Sequence, residues 1–349
     1  MVIGKAAGKE KGKMEMGDRQ ELLTAMRKKR ILVFGDMVAD IYLDGRISRI
    51  SREAPVLVLE QAGERIVAGG AANVVNNVAT LGGIAHAVGV VGRDSAAEGL
   101  RRVLEGNGVH TGALVTDEGR PTISKTRIIA GGRATVSQQI VRIDRESKEP
   151  LSAAMEAALL RRMEGLLPHI DGIVLSDYGA GTVTERLKER LIRAAREKGI
   201  PSIVDSRYAI YRFHGIGYVK QNDAELAAAV HRDLPDEAAI IAAARELCAE
   251  LAADGVLVTR GEDGMTLVTR EGATTIPVTD RSEVFDVSGA GDTCVATVIL
   301  ALAAKAEPAE AARLSNLASG IAVRKMGTST VSAEELLRAA AVGREEMPC

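Results

Sequence analysis

Asp286, Ser288, Gly289, Ala290, Gly291 and Asp292 form the densest run of chemistry-bearing residues in this chain. Val284 and Phe285 lead into Asp286, and two glycines then bracket an alanine ahead of a second carboxylate. After it, Cys294, Val295, Val298, Ile299 and Leu302 are apolar at helical spacing. The pattern is a glycine loop feeding the first turn of a buried helix. The first N–H groups of a helix have no internal partner, and the macrodipole adds positive potential there. Glycines let an anion approach those groups, so the loop can cradle a phosphate. An aspartate in that cradle can take a proton from a hydroxyl attacking the phosphate. The same string also suits a glycine turn with Asp292 as an ordinary helix cap.

Other candidates follow apolar runs. Ile31–Gly35 reads as a buried strand, and Asp36 and Asp40 come at its C-terminal end, where ligands bind in open α/β sheets. Carboxylates there accept hydrogen bonds from sugar hydroxyls or cap a turn. Gly69-Gly70-Ala71-Ala72-Asn73 opens a helix carrying Val74, Val75, Val78 and Leu81. Its small residues either admit a ligand to the backbone, with Asn73 as donor and acceptor, or permit close helix packing. Ile123–Ala130 and Val136–Ile143 read as a hairpin turning at Gly131-Gly132, with Lys125, Arg127 and Arg142 on it. Long basic side chains on a hairpin are either solvated or suited to gripping phosphate.

These residues need a scaffold, and the second half of the chain supplies alternating elements. Gly172–Ser176 is a strand, 182–198 a helix, and Ser202–Val204 a strand ending in Asp205-Ser206-Arg207. Asn222 and Glu225 open another helix in the manner of a capping box. Val256–Thr259 is a strand followed by a turn with Gly261 and Gly264, and helices are expected at 288–305 and 308–325. Such alternation implies a mostly parallel sheet covered by helices. The extended, Pro55-containing stretch 42–60 and the hairpin 122–145 would form a small sheet outside the main one, a lid.

Composition narrows the function classes. Aromatics are 2% with no Trp and net charge is -2, which leaves neither stacking platforms nor a basic footprint for nucleic acid. Cys248, Cys294 and Cys349 have no metal-like spacing and read as reduced thiols of a cytoplasmic protein. None of the five histidines has metal or catalytic spacing. No apolar run approaches a membrane span. Lys5, Lys9, Lys11 and Lys13 lie in a glycine-rich N-terminus without the apolar segment of a signal peptide. The expected organisation is a tail and the start of a first helix over 1–27, one domain over 28–342, and a short tail over 343–349.

Asp286-x-Ser288-Gly289-Ala290-Gly291-Asp292-Thr293 resembles the C-terminal signature of the ribokinase-like (PfkB) sugar kinases. The resemblance covers about residues 28–340, with the motifs in the family's order. It implies a three-layer α/β fold with a β-sheet lid. It also implies Asp292 as catalytic base, Gly289, Ala290 and Gly291 as anion hole, and Asp36, Asp40, Gly69, Gly70 and Asn73 on the sugar. ATP would contact Asn222, Glu225, Thr259, Gly261, Gly264 and Asn316. Mg²⁺ would be held through water by Asn222 and Glu225, and a monovalent cation such as K⁺ near Asp286 and Ser288.

Ser48-Arg49-Ile50-Ser51-x-Glu53-Ala54-Pro55-Val56 is similar to the bacterial heptose 7-phosphate kinases in particular. That similarity implies a substrate already carrying a phosphate, gripped by Lys125, Arg127, Arg142 and Arg207 with Asp205 on the sugar. In many bacteria such a kinase is fused to a nucleotidyltransferase; the length of this chain leads to the expectation of the kinase alone, and the family's β lid implies a homodimer formed through it. Two positions depart from the family: Ser206-Arg207 replaces Pro-Lys, and Lys220-Gln221 replaces Thr-Pro. The alternatives are a kinase for another sugar and a non-catalytic sugar-phosphate binder on the same fold.

Overall fold

The computed structural model describes residues 16–131, 138–278 and 284–342 of the chain. The lysine-rich start, Gly132 of the expected hairpin turn, Cys349 and the C-terminal tail lie outside the described residues. In chain order the elements are α1 (Met16–Met26), β1 (Arg30–Gly35), β2 (Met37–Ile50), β3 (Leu57–Gly70), α2 (Ala71–Thr80), β4 (Ile84–Val91), α3 (Ser95–Gly106), β5 (His110–Thr116), β6 (Ile123–Gly131) and β7 (Gln138–Arg145). There follow α4 (Ala153–Leu166), β8 (Gly172–Asp177), α5 (Glu185–Lys198), β9 (Ser202–Ser206), β10 (Tyr218–Asn222), α6 (Asp223–Ala229), α7 (Glu237–Glu250), β11 (Gly255–Thr259), β12 (Met265–Thr269), β13 (Gly272–Ile276), α8 (Ala290–Ala303), α9 (Pro308–Ala322) and α10 (Ala333–Val342).

Nine strands form one sheet in the order β13-β12-β11-β10-β9-β8-β1-β4-β5. Each pairing is parallel except the two made by β12. A sheet covered on both faces needs apolar side chains on both, and β1 shows how the period of two supplies them. Ile31 and Val33 pack with α1, α2, α3, α8, α9 and α10. Leu32 and Phe34 pack on the other side with α4, α5 and α7. All four are fully buried, each contributing about 1.5–3 kcal/mol of transfer free energy. The three-layer α/β architecture expected from the sequence is the one observed.

A second sheet, β3-β2-β6-β7, stands on the C-terminal edge of the first. β2 begins one residue after β1 ends, so the lid rises from the strand end that carries Asp36. It is larger than the expected 42–60 and 122–145, because β2 and β3 pair from Met37↔Gly70 to Ile50↔Leu57, with register shifts after Asp44 and Ile47. Val38, Ile123 and Ala180 form a small apolar cluster that pins the base of the lid to the loop after β8.

The β1–β8 crossing is tight. A Cβ on Gly35 would overlap the Ser176 backbone carbonyl oxygen, which accepts from the Asp36 N–H at 3.1 Å. Neither strand can retreat without opening the sheet. Gly35→Ala is expected to destabilise the protein by about 3 kcal/mol, the upper range for overpacking, read as a lower urea midpoint with unchanged slope.

Candidate active site

α8 starts at Gly289, whose φ of 83° is a left-handed conformation that glycine adopts without a Cβ penalty. No side chain caps this helix. Asp292, in its first turn, is buried, 5% exposed. Its Oδ2 accepts from Asn73 Nδ2 at 2.8 Å and its Oδ1 from the Tyr178 hydroxyl at 3.0 Å. Asn73 is itself set by Asn77, one helical turn on, whose Nδ2 donates to Asn73 Oδ1 at 3.2 Å. Asn77 Oδ1 accepts from Thr293 Oγ1 at 3.1 Å and from the Val331 N–H at 3.2 Å. One face of α2 therefore positions the start of α8.

Across from Asp292 lies Lys220, 5% exposed, near the end of β10. Its Nζ donates to Asp205 Oδ2 at 3.2 Å and lies 3.9 Å from Glu225 Oε2. A Cβ on Gly291 would come within 2.8 Å of that Nζ, so the ammonium rests against the first turn of α8. Burial works to lower the Lys220 pKa, but the charges of Asp205 and Glu225 outweigh it and keep the side chain protonated. Burial pushes Asp292 up to about 6, against the hydrogen bond from Asn73; Asp205 adds to the rise, while Lys220 and Tyr178 restrain it. A carboxylate of this kind can accept a proton near neutral pH, beside a fixed positive charge suited to a phosphoryl group.

Residues 28–336 match the family model for pfkB family carbohydrate kinases. The chain belongs to that family. It is a sugar kinase, a phosphotransferase that uses ATP. It is 40% identical over 325 residues to the bifunctional protein HldE of Geotalea uraniireducens, covering 93% of this chain and 65% of that protein. It is 42% identical over 312 residues to the protein of the same name from Citrifermentans bemidjiense, covering 88% and 62%. The chain thus spans less than two thirds of these two relatives' length. Its fold is similar to ribokinase of Arabidopsis thaliana complexed with ribose and ATP (TM-score 0.69, 19% identity, 89% and 98% of the two chains). It is also similar to phosphofructokinase-2 of Escherichia coli in complex with potassium (TM-score 0.70, 24% identity, 90% and 99%).

Next to Tyr178, which donates to Asp292, the kinase has a cleft of about 370 Å³ between lid and main sheet, with Lys125, Arg142, Lys148 and Arg207 on its walls together with Asp144 and Glu146. Arg207 Cζ stacks 4.3 Å from the Tyr178 ring centroid, and Lys125 Nζ lies 5.8 Å from it. Arg142 forms a two-pronged pair with Asp144 at 2.8 and 2.9 Å. Arg127 is turned elsewhere. It donates to Asp40 Oδ1 at 2.6 Å, and its guanidinium lies 5.4 Å from the Tyr42 ring. Asp40 also accepts from Thr328 at 3.2 Å and backs onto Gly69. Gly70 takes φ 54° to start α2. A hollow of about 570 Å³ near Arg245 and Arg270 adjoins the Gly255↔Thr269 end of the sheet, opposite the C-terminal edge that carries Asp205 and Asn222.

Asp36, placed on the sugar by the sequence reading, is fully enclosed. Its oxygens accept from the backbone N–H groups of Tyr178 (2.8 Å), Ala180 (3.2 Å) and Thr182 (3.3 Å), so it braces the loop after β8. Asn222 and Glu225 make a full capping box at the start of α6, at 2.7 and 2.8 Å. Asn316 donates to the Pro277 carbonyl at 2.8 Å, at the wall of the region after β13. Thr259 ends β11, and Gly261 (φ 55°) and Gly264 (φ 84°) shape the turn beyond it. Asp286 accepts from the N–H groups of Ser288 (2.8 Å) and Gly327 (3.0 Å), tying two loops together.

Tyr178, Asn77 and the role of Lys220 were not found by sequence reasoning. Lys220 appeared there only as a departure from the family pattern. Lys220→Met is expected to lower turnover by about 10²-fold, the scale of losing one electrostatic stabiliser. It should also lower stability by about 3 kcal/mol, since it strands the buried Asp205. Adding Asp205→Asn should restore stability in urea titrations without restoring turnover.

Proposed function

We propose that the chain transfers the γ-phosphoryl group of ATP to the anomeric hydroxyl of D-glycero-D-manno-heptose 7-phosphate, giving the 1,7-bisphosphate used in ADP-heptose precursor synthesis. The observation that carries this reading is the two-ended site. One end holds Asp292, Lys220 and the glycine turn; the other is the cleft where Lys125, Lys148 and Arg207 stand with Arg142, which is paired to Asp144. A sugar with a phosphate at one end and its reacting hydroxyl at the other matches both. The Ser48–Val56 segment, similar to heptose 7-phosphate kinases, supports the same choice.

In the reaction, Asp292 accepts the proton of the C1 hydroxyl as that oxygen bonds to the γ-phosphorus and ADP departs. Lys220 and the N–H groups of Gly289–Gly291 hold the charge spread over the transferred oxygens. Mg²⁺ keeps waters and prefers oxygen donors. Glu225 and Asn222 would hold those waters, and Mg²⁺ would neutralise phosphate charge. Asp286 and Ser288 would border a K⁺ site. Asp40, Gly69, Gly70, Asn73 and Asp205 would line the sugar, and Thr259, Gly261, Gly264 and Asn316 the nucleotide.

The lid exposes Ile50 (67%), Leu57 (45%), Val141 (44%) and Ile143 (55%), which supports a homodimer formed lid to lid. Sedimentation should give a dimer that Ile143→Asp shifts toward monomer.

The substrate reading is tested by ATP consumption against D-glycero-D-manno-heptose 7-phosphate, sedoheptulose 7-phosphate, fructose 6-phosphate, fructose and ribose. A clear preference for the first is expected, and Arg207→Ala should raise its KM. Preference for an unphosphorylated sugar would keep the kinase mechanism and overturn the phosphate-grip assignments. Asp292→Asn should fold and bind nucleotide with turnover reduced about 10²–10⁴-fold.

A further inference from the structure

Tyr178 touches both ends of the site. Its hydroxyl donates to Asp292 Oδ1 at 3.0 Å, while its ring lies 4.3 Å from Arg207 Cζ and 5.8 Å from Lys125 Nζ. Its backbone is fixed separately, by the buried Asp36 carboxylate that accepts its N–H at 2.8 Å. Burial and the carboxylates of Asp292 and Asp205 raise the phenol well above its ordinary value, so the hydroxyl remains a donor at working pH.

We propose that Tyr178 is the positioning residue of this kinase: its hydroxyl fixes the Asp292 carboxylate, and its ring sets the span from that base to the phosphate-gripping cations. The proposal rests on the reading of Asp292 as general base. A carboxylate held at one oxygen can still swing about its terminal torsion. Here Asn73 on α2 holds one oxygen and Tyr178, from the loop after β8, holds the other. Two anchors on separate elements restrict the carboxylate to one plane, the condition for a near-attack geometry. The ring is a rigid spacer with cations on it. A substrate whose phosphate and reacting hydroxyl lie closer together than that spacer cannot engage Arg207 and Asp292 at once.

The charged and titratable groups facing Asp292 are Tyr178, Asp205 on β9, Arg207 just after it and Lys220 on β10. With Asp292 raised to about 6, activity requires the carboxylate and falls as pH drops through that value. The Tyr178 hydrogen bond stabilises the charged form, so its loss should move the acid limb of the kcat profile to higher pH.

The test compares Tyr178→Phe, Tyr178→Ala and Asp292→Asn with the wild type, using the best phosphorylated sugar of the panel. Tyr178→Phe should reduce kcat about tenfold, leave the sugar-phosphate KM within about twofold, and shift the acid limb upward. Tyr178→Ala, which also removes the cation platform, should raise that KM as well. Wild-type kcat and an unmoved acid limb in a folded Tyr178→Phe would overturn the proposal. So would a lower kcat that tracks lost thermal stability with the limb unmoved, the pattern of a structural brace alone. If Asp292→Asn keeps wild-type turnover, the base reading itself fails, a result distinguishable from failure of Tyr178 alone.

Discussion

The site depends on a buried ammonium lodged between carboxylates at the start of a helix. Lys220 is enclosed with Asp205 at 3.2 Å and Glu225 at 3.9 Å, against the turn that carries Asp292. Removing such charges from water costs several kcal/mol per ion, so the cluster is weak evidence for stability. Its value is electrostatic. A charge already desolvated and fixed needs no reorganisation when a phosphoryl group arrives. The same burial raises Asp292 to about 6, which suits it to exchange a proton near neutral pH.

The fold makes this arrangement possible by bringing parallel strands to a common edge. Next to Gly35 at the end of β1 is Asp36, and from the ends of β8, β9 and β10 come Asp177 with Tyr178, Asp205 with Arg207, and Lys220 with Asn222. Helix α8 starts over that edge, and α2 holds it there through Asn73 and Asn77. The lid grows from β1 itself and brings Lys125 and Arg142 to the far side of the cleft. Residues more than a hundred positions apart thus meet within hydrogen-bonding distance.

The glycine turn with Asp292 in the first turn of the helix behind it, the parallel core and the lid were legible in the sequence, because each follows from a local pattern: glycines ahead of helical spacing, short apolar runs alternating with helices, and a hairpin. The partners of those residues were not. Asp36 reads as a sugar ligand from its place at a strand end, yet three backbone N–H groups of a loop some 140 residues away enclose its carboxylate. Arg127 reads as a phosphate grip from its exposed hairpin, yet Asp40 across the β2–β6 ladder takes it. Lys220 lies on a short strand, Tyr218–Asn222, and shows no sign of function until β9 and α8 are placed beside it. Asn222 and Glu225 were readable as a capping box, and they form one. Side-chain pairing across distant segments is set by tertiary packing, and no spacing within the chain encodes it.

The most direct measurement is a carboxyl ¹³C NMR titration of the protein labelled at aspartate, with Asp292→Asn used to assign the resonance. The expected result is a carboxyl that titrates at about 6, held there by burial in the Asp205–Lys220 cluster. Titration of Asp292 in the ordinary aspartate range, about 3.9, would contradict the account, because the carboxylate would then be solvated and too weak a base for the role assigned to it.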